Sequence, residues 1–373
     1  MNNNLKCYSS IIIFLLYCIS ANATSDKIYT HGYVGTPSFN INDPVFNLHI
    51  HNKCKYYFND IHFHPLNFVM EGKSLIENIP FMDKNCINHS TISALPLLKA
   101  WQEGYDERPT YYADDDSKLY WNNMADIPLL QQWEELPEQD KKRYNFLING
   151  FNHTDKNAIT YVKTIIKLFP NVPIVGIGEI MGKHDKLSDQ TYGGTSRADH
   201  PALHEIYKLA AQKQWFVLLH NNLGNQVFGQ KQSRLNYLNQ IKNALAKHKK
   251  TVFILAHGGI SRNIIIPNLT EILGALLTEY DNLYIDISWV IYENYIVPDG
   301  KVSKEWVDFI NKYADKILIG SDNVGGYNEQ DYDIKKYILL LDSLTKETAQ
   351  KIVSGNYNYL VNRALTHKFN GLL

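Results

Sequence analysis

No block of basic residues stands out in this chain, and its 37 Lys+Arg are balanced by 38 Asp+Glu. The electrostatic footprint of a nucleic-acid binder is therefore missing. A membrane-spanning run is missing too: the apolar stretch Ile11 to Ile19 is about half the length that a bilayer requires. Cysteine is scarce, with four in 373 residues and none at metal-site spacing. No Gly-rich phosphate loop follows the first predicted strand, which argues against a doubly wound nucleotide-binding sheet. There is no internal repeat and no low-complexity tract. What remains, 45% apolar and 20% charged, is the composition of a globular chain.

The N-terminus reads as a signal peptide over residues 1–23. Lys6 precedes the apolar run, and Ala21-Asn22-Ala23 is a small-x-small cleavage site. Cleavage near Ala23 predicts export, to a periplasm or the medium. Tyr17 before Cys18 suits a lipoprotein box poorly, so no stable membrane anchor is expected afterwards. Loss of Lys6 leaves 36 Lys+Arg against 38 Asp+Glu. Cys7 and Cys18 leave with the signal. Cys54 and Cys86 stay in an oxidising compartment, where a disulfide and two free buried thiols both remain open readings. Residues 24–56 read as an irregular arm leading into the first core strand.

Five short apolar runs each end in a residue type that binds metal. They are Tyr57-Phe-Asn-Asp-Ile-His-Phe-His64, Ile174-Val-Gly-Ile-Gly-Glu179, Phe216-Val-Leu-Leu-His220, Val252-Phe-Ile-Leu-Ala-His257 and Ile317-Leu-Ile-Gly-Ser-Asp322. Their length and β-branched content predict buried strands. Ser90-Thr-Ile-Ser-Ala-Leu95, Asn145-Phe-Leu-Ile-Asn-Gly150 and Leu283-Tyr-Ile-Asp286 complete a set of eight. From the third strand on, strand ends lie 29 to 41 residues apart, as βα units require. A helix capped by Asp199, with Pro201 in its first turn, follows strand four; another amphipathic pattern runs from Ile264 to Tyr280. The expected fold is α/β: a (β/α)8 TIM barrel over residues 57–373. It carries an insertion between strands two and three at about 103–143, acidic and rich in aromatics. That insertion reads equally as a solvated packing element and as a lid.

His62 and His64, two apart on one strand, project from one face. At the C-terminal end of a barrel strand, that face is the barrel mouth. Barrel closure sets Asp322 of strand eight beside strand one, while Glu179, His220 and His257 come from strands four, five and six. Each histidine alone is more often a satisfied core residue, and His49-Ile50-His51 is a second His-x-His read as a surface hairpin. The joint pattern is the signal. Imidazoles with carboxylates suit zinc best, with manganese or iron as alternatives.

Asp60-Ile-His-Phe-His-Pro65, His220, Ala256-His-Gly-Gly259, Gly320-Ser-Asp322 and Gly355-Asn356 together resemble the amidohydrolase superfamily, and within it the amidohydrolase-2 branch. The resemblance implies His62 and His64 on a first metal with Asp322, and His220 and His257 on a second metal or the substrate. Many relatives place a carbamylated lysine on strand four. Here Glu179 stands there, as in TatD-like nucleases, and it would bridge two ions if two are bound. One or two ions per chain are thus expected.

The expected activity is hydrolysis of an amide, lactone or other ester bond of a small molecule, by a metal-activated hydroxide. Asp322 is the expected proton acceptor and donor, with Glu179 beside it. Lys183, His184, Arg197, Asn221, Arg262 and Trp289 are the substrate-facing candidates, and their cations hint at an anionic substrate. Asn222, Asn323 and His153 are weaker ones. A single-metal decarboxylase of the same family, a nuclease, and a catalytically silent metal- or ligand-binding barrel are the alternatives. A homo-oligomer is compatible with the sequence, which does not decide it.

Overall fold

The computed structural model describes residues 54–327 and 334–367. The signal segment, nearly all of the arm, and His49-Ile50-His51 lie outside the described residues. Eleven strands are present among those described: β1 Phe58–His64, β2 Ile87–Ser93, β3 Leu97–Lys99, β4 Leu119–Trp121, β5 Tyr144–Ile148, β6 Ile174–Met181, β7 Phe216–His220, β8 Val252–Leu255, β9 Leu283–Asp286, β10 Ile317–Leu318 and β11 Asn323–Val324. Nine of them form one parallel sheet, in the order β10-β9-β8-β7-β6-β5-β2-β1-β11. The eighth stave is the whole segment 317–324. Its first half bonds β9 and its second half bonds β1, and the Ile61 and Asp322 amides donate to the Ile319 and His62 carbonyls across the join. The sheet thus closes into a TIM barrel, with helices outside.

The apolar runs form these strands because both faces are covered: β1, β2, β5, β6 and β7 are buried at every position. Outward side chains meet the helix layer, as where Phe63 stacks on Tyr327 with ring centroids 3.9 Å apart. The C-terminal helix, Asn356–Thr366, closes the N-terminal end of the barrel. Its Tyr357 hydroxyl is bonded by Thr91 and Asn145 of β2 and β5, and Asn356 donates to the Ala314 and Ile317 carbonyls where stave eight begins. Among the described residues no helix is long and apolar enough to cross a membrane.

Several boundaries depart from expectation. The second and third core strands end at Ser93 and Ile148 rather than at Leu95 and Gly150, and the fourth runs two residues beyond Glu179. The sixth stops at Leu255, because His257, Gly258 and Gly259 turn left-handed with φ of 53°, 60° and 75°. A side chain at Gly258 would be strained by this backbone and would force Ile291 to shift, since a Cβ would lie 2.6 Å from its Cδ1. His200, not Asp199, caps the turn after strand four by accepting from the Ala202 amide, while Asp199 binds Arg197 and Asn243. The helix expected from Ile264 begins at Leu269. Between β2 and β5 the chain forms the antiparallel pair β3–β4 and the helix Asp126–Glu135. Cys54 and Cys86 are joined as a disulfide, their Cα atoms 6.1 Å apart.

Candidate metal centre and its cavity

The six predicted ligand residues converge at the C-terminal mouth of the barrel. His62 and His64 bring their Nε2 atoms to 3.1 Å of each other. His62 Nε2 lies 3.3 Å from Glu179 Oε1 and 3.4 Å from Asp322 Oδ1. His64 Nε2 lies 3.5 Å from Glu179 Oε2 and 3.4 Å from Asp322 Oδ1. His257 Nε2 stands 3.6 Å from Glu179 and 3.5 Å from Asp322 Oδ2. His220 Nδ1 meets Glu179 Oε1 at 2.9 Å.

The other ring nitrogens explain why this set suits a cation. His62 Nδ1 faces Asp286 Oδ2 at 2.9 Å, and His64 Nδ1 faces the Ser93 carbonyl at 2.9 Å. Both partners are acceptors, so each Nδ1 carries the hydrogen and each neutral ring turns a bare Nε2 lone pair inward. Two such lone pairs at 3.1 Å repel unless a proton or a metal lies between them. His220 Nε2 and His257 Nε2 are buried without a hydrogen-bond partner among the described residues. Ligands at about 2.0–2.1 Å around a tetrahedral ion are about 3.3–3.4 Å from one another. The separations among His62, His64 and Asp322, 3.1, 3.4 and 3.4 Å, are close to that edge length, and Glu179, His220 and His257 form a second group able to hold an ion. The residues fit the group.

The titration of the cluster says the same. Burial alone would depress His62, yet the Glu179 and Asp322 charges and the Asp286 bond raise it well above the ordinary histidine range. Burial opposes the charge on His64 too, and bonds to Asp322 and Glu179 lift it to about 9. Burial would raise Glu179, but the His62 and His220 charges hold it well below the carboxylate range. Asp322 is likewise held at about 2 by His62 and His257 against the effect of burial. The two carboxylates thus favour positive charge among these side chains.

Asp322 reaches its place because stave eight breaks there. Its φ is 54°, as left-handed as that of His257 (53°) and Trp289 (56°). Such backbone is costly for residues with a side chain and collects at functional sites. The Asp322 amide is held by the His62 carbonyl at 2.7 Å. Glu179 is held by its own amide, which donates to Ser93 Oγ at 2.6 Å.

A cavity of about 290 Å³ opens beside the cluster. Phe68, Leu95, Met181, Leu187 and Val324 form its apolar wall, and His184, Arg262, Trp289, Tyr111, Tyr112 and Asn323 supply polar or aromatic groups. His184 stacks beside His220 with centroids 4.6 Å apart, and burial followed by the His220 charge keeps it well below the ordinary histidine range.

Residues 181–356 match the family model described as amidohydrolase, of the amidohydrolase-2 type. The matched span contains His220, His257, Trp289, Asp322 and Asn356. Over that span, just under half of its length, the chain is similar to the amidohydrolase-2 family. Its fold is a TIM barrel. An uncharacterised TIM-barrel protein from Bordetella bronchiseptica is similar at TM-score 0.54 and 14% identity, over 83% of this chain and 99% of that one. An amidohydrolase from Burkholderia multivorans with bound zinc has TM-score 0.50 and 10% identity, again over 83% and 99%. No curated protein matches the sequence.

Not every substrate-facing candidate reaches the cavity. His184, Arg262 and Trp289 line it. Lys183, Arg197 and Asn221 do not. The Lys183 carbonyl accepts from the Asn222 amide, and Arg197 pairs with Asp199 at 2.6 Å on the surface. Asn221 Oδ1 is bonded by the Lys183 and Ala198 amides, so it ties two loops together. Asn222 likewise bonds Ser261. His153 lies behind the wall, 2.9 Å from Asn149 Oδ1. Asp60 stays beneath the cluster, bonded by the Tyr327 hydroxyl and the His62 and Ser321 amides.

Four contributors escaped sequence reasoning. Asp286 and Ser288 orient His62 and His257: Ser288 Oγ lies 2.9 Å from His257 Nδ1. Asp286 carried the same signal as the ligands, an acid closing a buried apolar run. Tyr111 and Tyr112 come from the insertion, whose aromatic density was the only hint.

Proposed function

We propose that this chain is an amidohydrolase: an exported, metal-dependent hydrolase that cleaves an amide, lactone or other ester bond of a small molecule. The observation that carries the reading is the pair of inward-facing Nε2 lone pairs of His62 and His64 at 3.1 Å, flanked by Glu179 and Asp322. His62, His64, Asp322 and Glu179 would hold one divalent cation, zinc before manganese or iron. Such an ion, when bound, supplies an acidified water and a Lewis acid for the scissile carbonyl.

The chain's own residues do the rest. Asp322 faces the cavity and is ionised at neutral pH, so it accepts the proton of the attacking water and returns it to the leaving group. His220, whose Nδ1 meets Glu179 and whose Nε2 turns into the cavity wall, is placed to accept a hydrogen bond from the substrate or to ligate a second ion. Phe68, Leu95 and Met181 exclude bulk water around it. Export is supported by the Lys6-led apolar run and by the Cys54–Cys86 disulfide, a bond of oxidising compartments.

The test is elemental analysis of mature protein purified without chelator, followed by a panel of lactones, esters and amides with carbon dioxide release monitored. One ion per chain with hydrolytic turnover is the expected result. Carbon dioxide release without hydrolysis would replace the hydrolase by the decarboxylase reading. Failure to take up metal after reconstitution would remove both.

A further inference from the structure

Arg262 stands at the rim of the cavity, the one Lys or Arg among its lining residues. Three aromatic groups of the same cavity fix it. Its guanidinium lies over the Trp289 ring at 4.6 Å, one nitrogen donates to the Tyr112 hydroxyl at 2.9 Å, and another faces the Tyr111 hydroxyl at 3.4 Å. Among the described residues, no carboxylate pairs with it. The nearby acid Asp185 is occupied by both chain neighbours of Arg262, the Ser261 hydroxyl and the Asn263 amide, and by Asn222. Arg262 is solvent-exposed at the rim, and these three contacts hold its fork there. Phenol hydroxyls and an indole face orient the fork without neutralising it, which leaves its charge for a ligand.

A second feature points to the same ligand. Asn323 is 2% exposed and lines the cavity, yet among the described residues neither its Oδ1 nor its Nδ2 has a partner. A buried amide without partners is costly, so a polar group is missing from that wall. Arg262 and Asn323 line the same cavity as the apolar side chains of Phe68, Leu95, Met181, Leu187 and Val324.

We propose that the cavity takes a small carboxylate-bearing substrate, its carboxylate received by Arg262 at the rim while its reacting carbonyl lies at the metal centre beside Asn323. Tyr112 and Tyr111 are positioning residues, so the insertion between β2 and β5 sets the charge preference of the enzyme. Lys99 secures the insertion in turn. Its buried ammonium donates to the carbonyls of Tyr112, Asp115 and Ser117. The identity of the reacting end rests on the hydrolase reading; the anion receptor does not.

The experiment measures binding rather than turnover. Calorimetry on the zinc-loaded full chain compares succinate, glutarate and adipate with butyrate, valerate and hexanoate, so that each pair differs by one carboxylate. At least one diacid is expected to bind about thirtyfold or more tighter than its matched monoacid. In Arg262→Met that ratio falls towards one, and Tyr112→Phe lowers it partway, with near-UV circular dichroism unchanged for both. A ratio near one in the wild type, or a ratio unaltered in Arg262→Met, overturns the proposal. If no ester or amide is turned over but the diacid preference stands, the hydrolase reading fails and the anion receptor survives. Turnover without preference for a carboxylate gives the reverse.

Discussion

Asp286 Oδ2 lies 2.9 Å from His62 Nδ1, joining residues 224 positions apart at the bottom of the metal cluster. The carboxylate fixes which nitrogen of His62 is protonated, and so turns the other into a ligand. Ser288 is tied to the same carboxylate through its hydroxyl and its amide, and passes the constraint on to His257. One acid thus orients two imidazoles.

Asp286→Asn should therefore weaken metal binding without removing a ligand. A partner behind a ligating histidine is typically worth about 10–100-fold in affinity. Titration of the apo protein with zinc against a competing chelator checks this. An unchanged affinity would mean that packing alone holds His62.

Removing a ligand differs from removing the base. His62→Ala should lower metal content outright. Asp322→Asn should keep an ion, because His62, His64 and Glu179 remain, and lose about 10²–10⁴ in turnover. Metal content and kcat measured on the same preparations separate the two, and full activity in the Asp322 variant would sink its proposed role.

The disulfide closes a loop across a sequence separation of 32. In the chain-entropy account a closure of that length is worth about 3–4 kcal/mol. Cys86→Ser should lower stability by that order, read as a shift in the urea midpoint, and reductant should reproduce the shift in the wild type but not in the variant.

Acid should destabilise the fold from outside the metal site. Burial holds His89 at about 4, with Arg143 and Lys142 adding to the effect against a bond to the Lys142 carbonyl. Burial likewise holds His153 at about 3. Both values lie below the unfolded value of about 6.5. The unfolded chain therefore takes up the protons first as pH falls. The stability is complete above about 6.5 and is lost progressively towards pH 4, by about 3 kcal/mol for His89. His89→Gln should flatten stability against pH across that window. An unchanged slope would assign the acid sensitivity to other groups.

Much of this could be read along the chain. Apolar runs ending in His64, Glu179, His220, His257 and Asp322 carried the barrel, because a strand buried on both faces needs a continuous apolar sequence and a polar residue at its end marks the mouth. The period of two on β1 placed His62 and His64 together. Loop residues were less legible. Lys183, Arg197 and Asn221 follow the right strands, but their side chains or backbones are engaged by Asn222, Asp199 and Ala198, contacts that no local pattern announces.

The sequence by itself determined the order of strands and the residue types at their ends, since these follow from periodicity and from the cost of burying charge. Only the tertiary structure decided which of two ring nitrogens each histidine offers, through Asp286 and Ser93. It also decided that Cys54 meets Cys86, that stave eight breaks at Asp322, and that Tyr111 and Tyr112 hold Arg262 from an insertion about 150 residues away. These depend on distances between segments remote in the chain. Barrel closure sets such distances, and no local propensity encodes them.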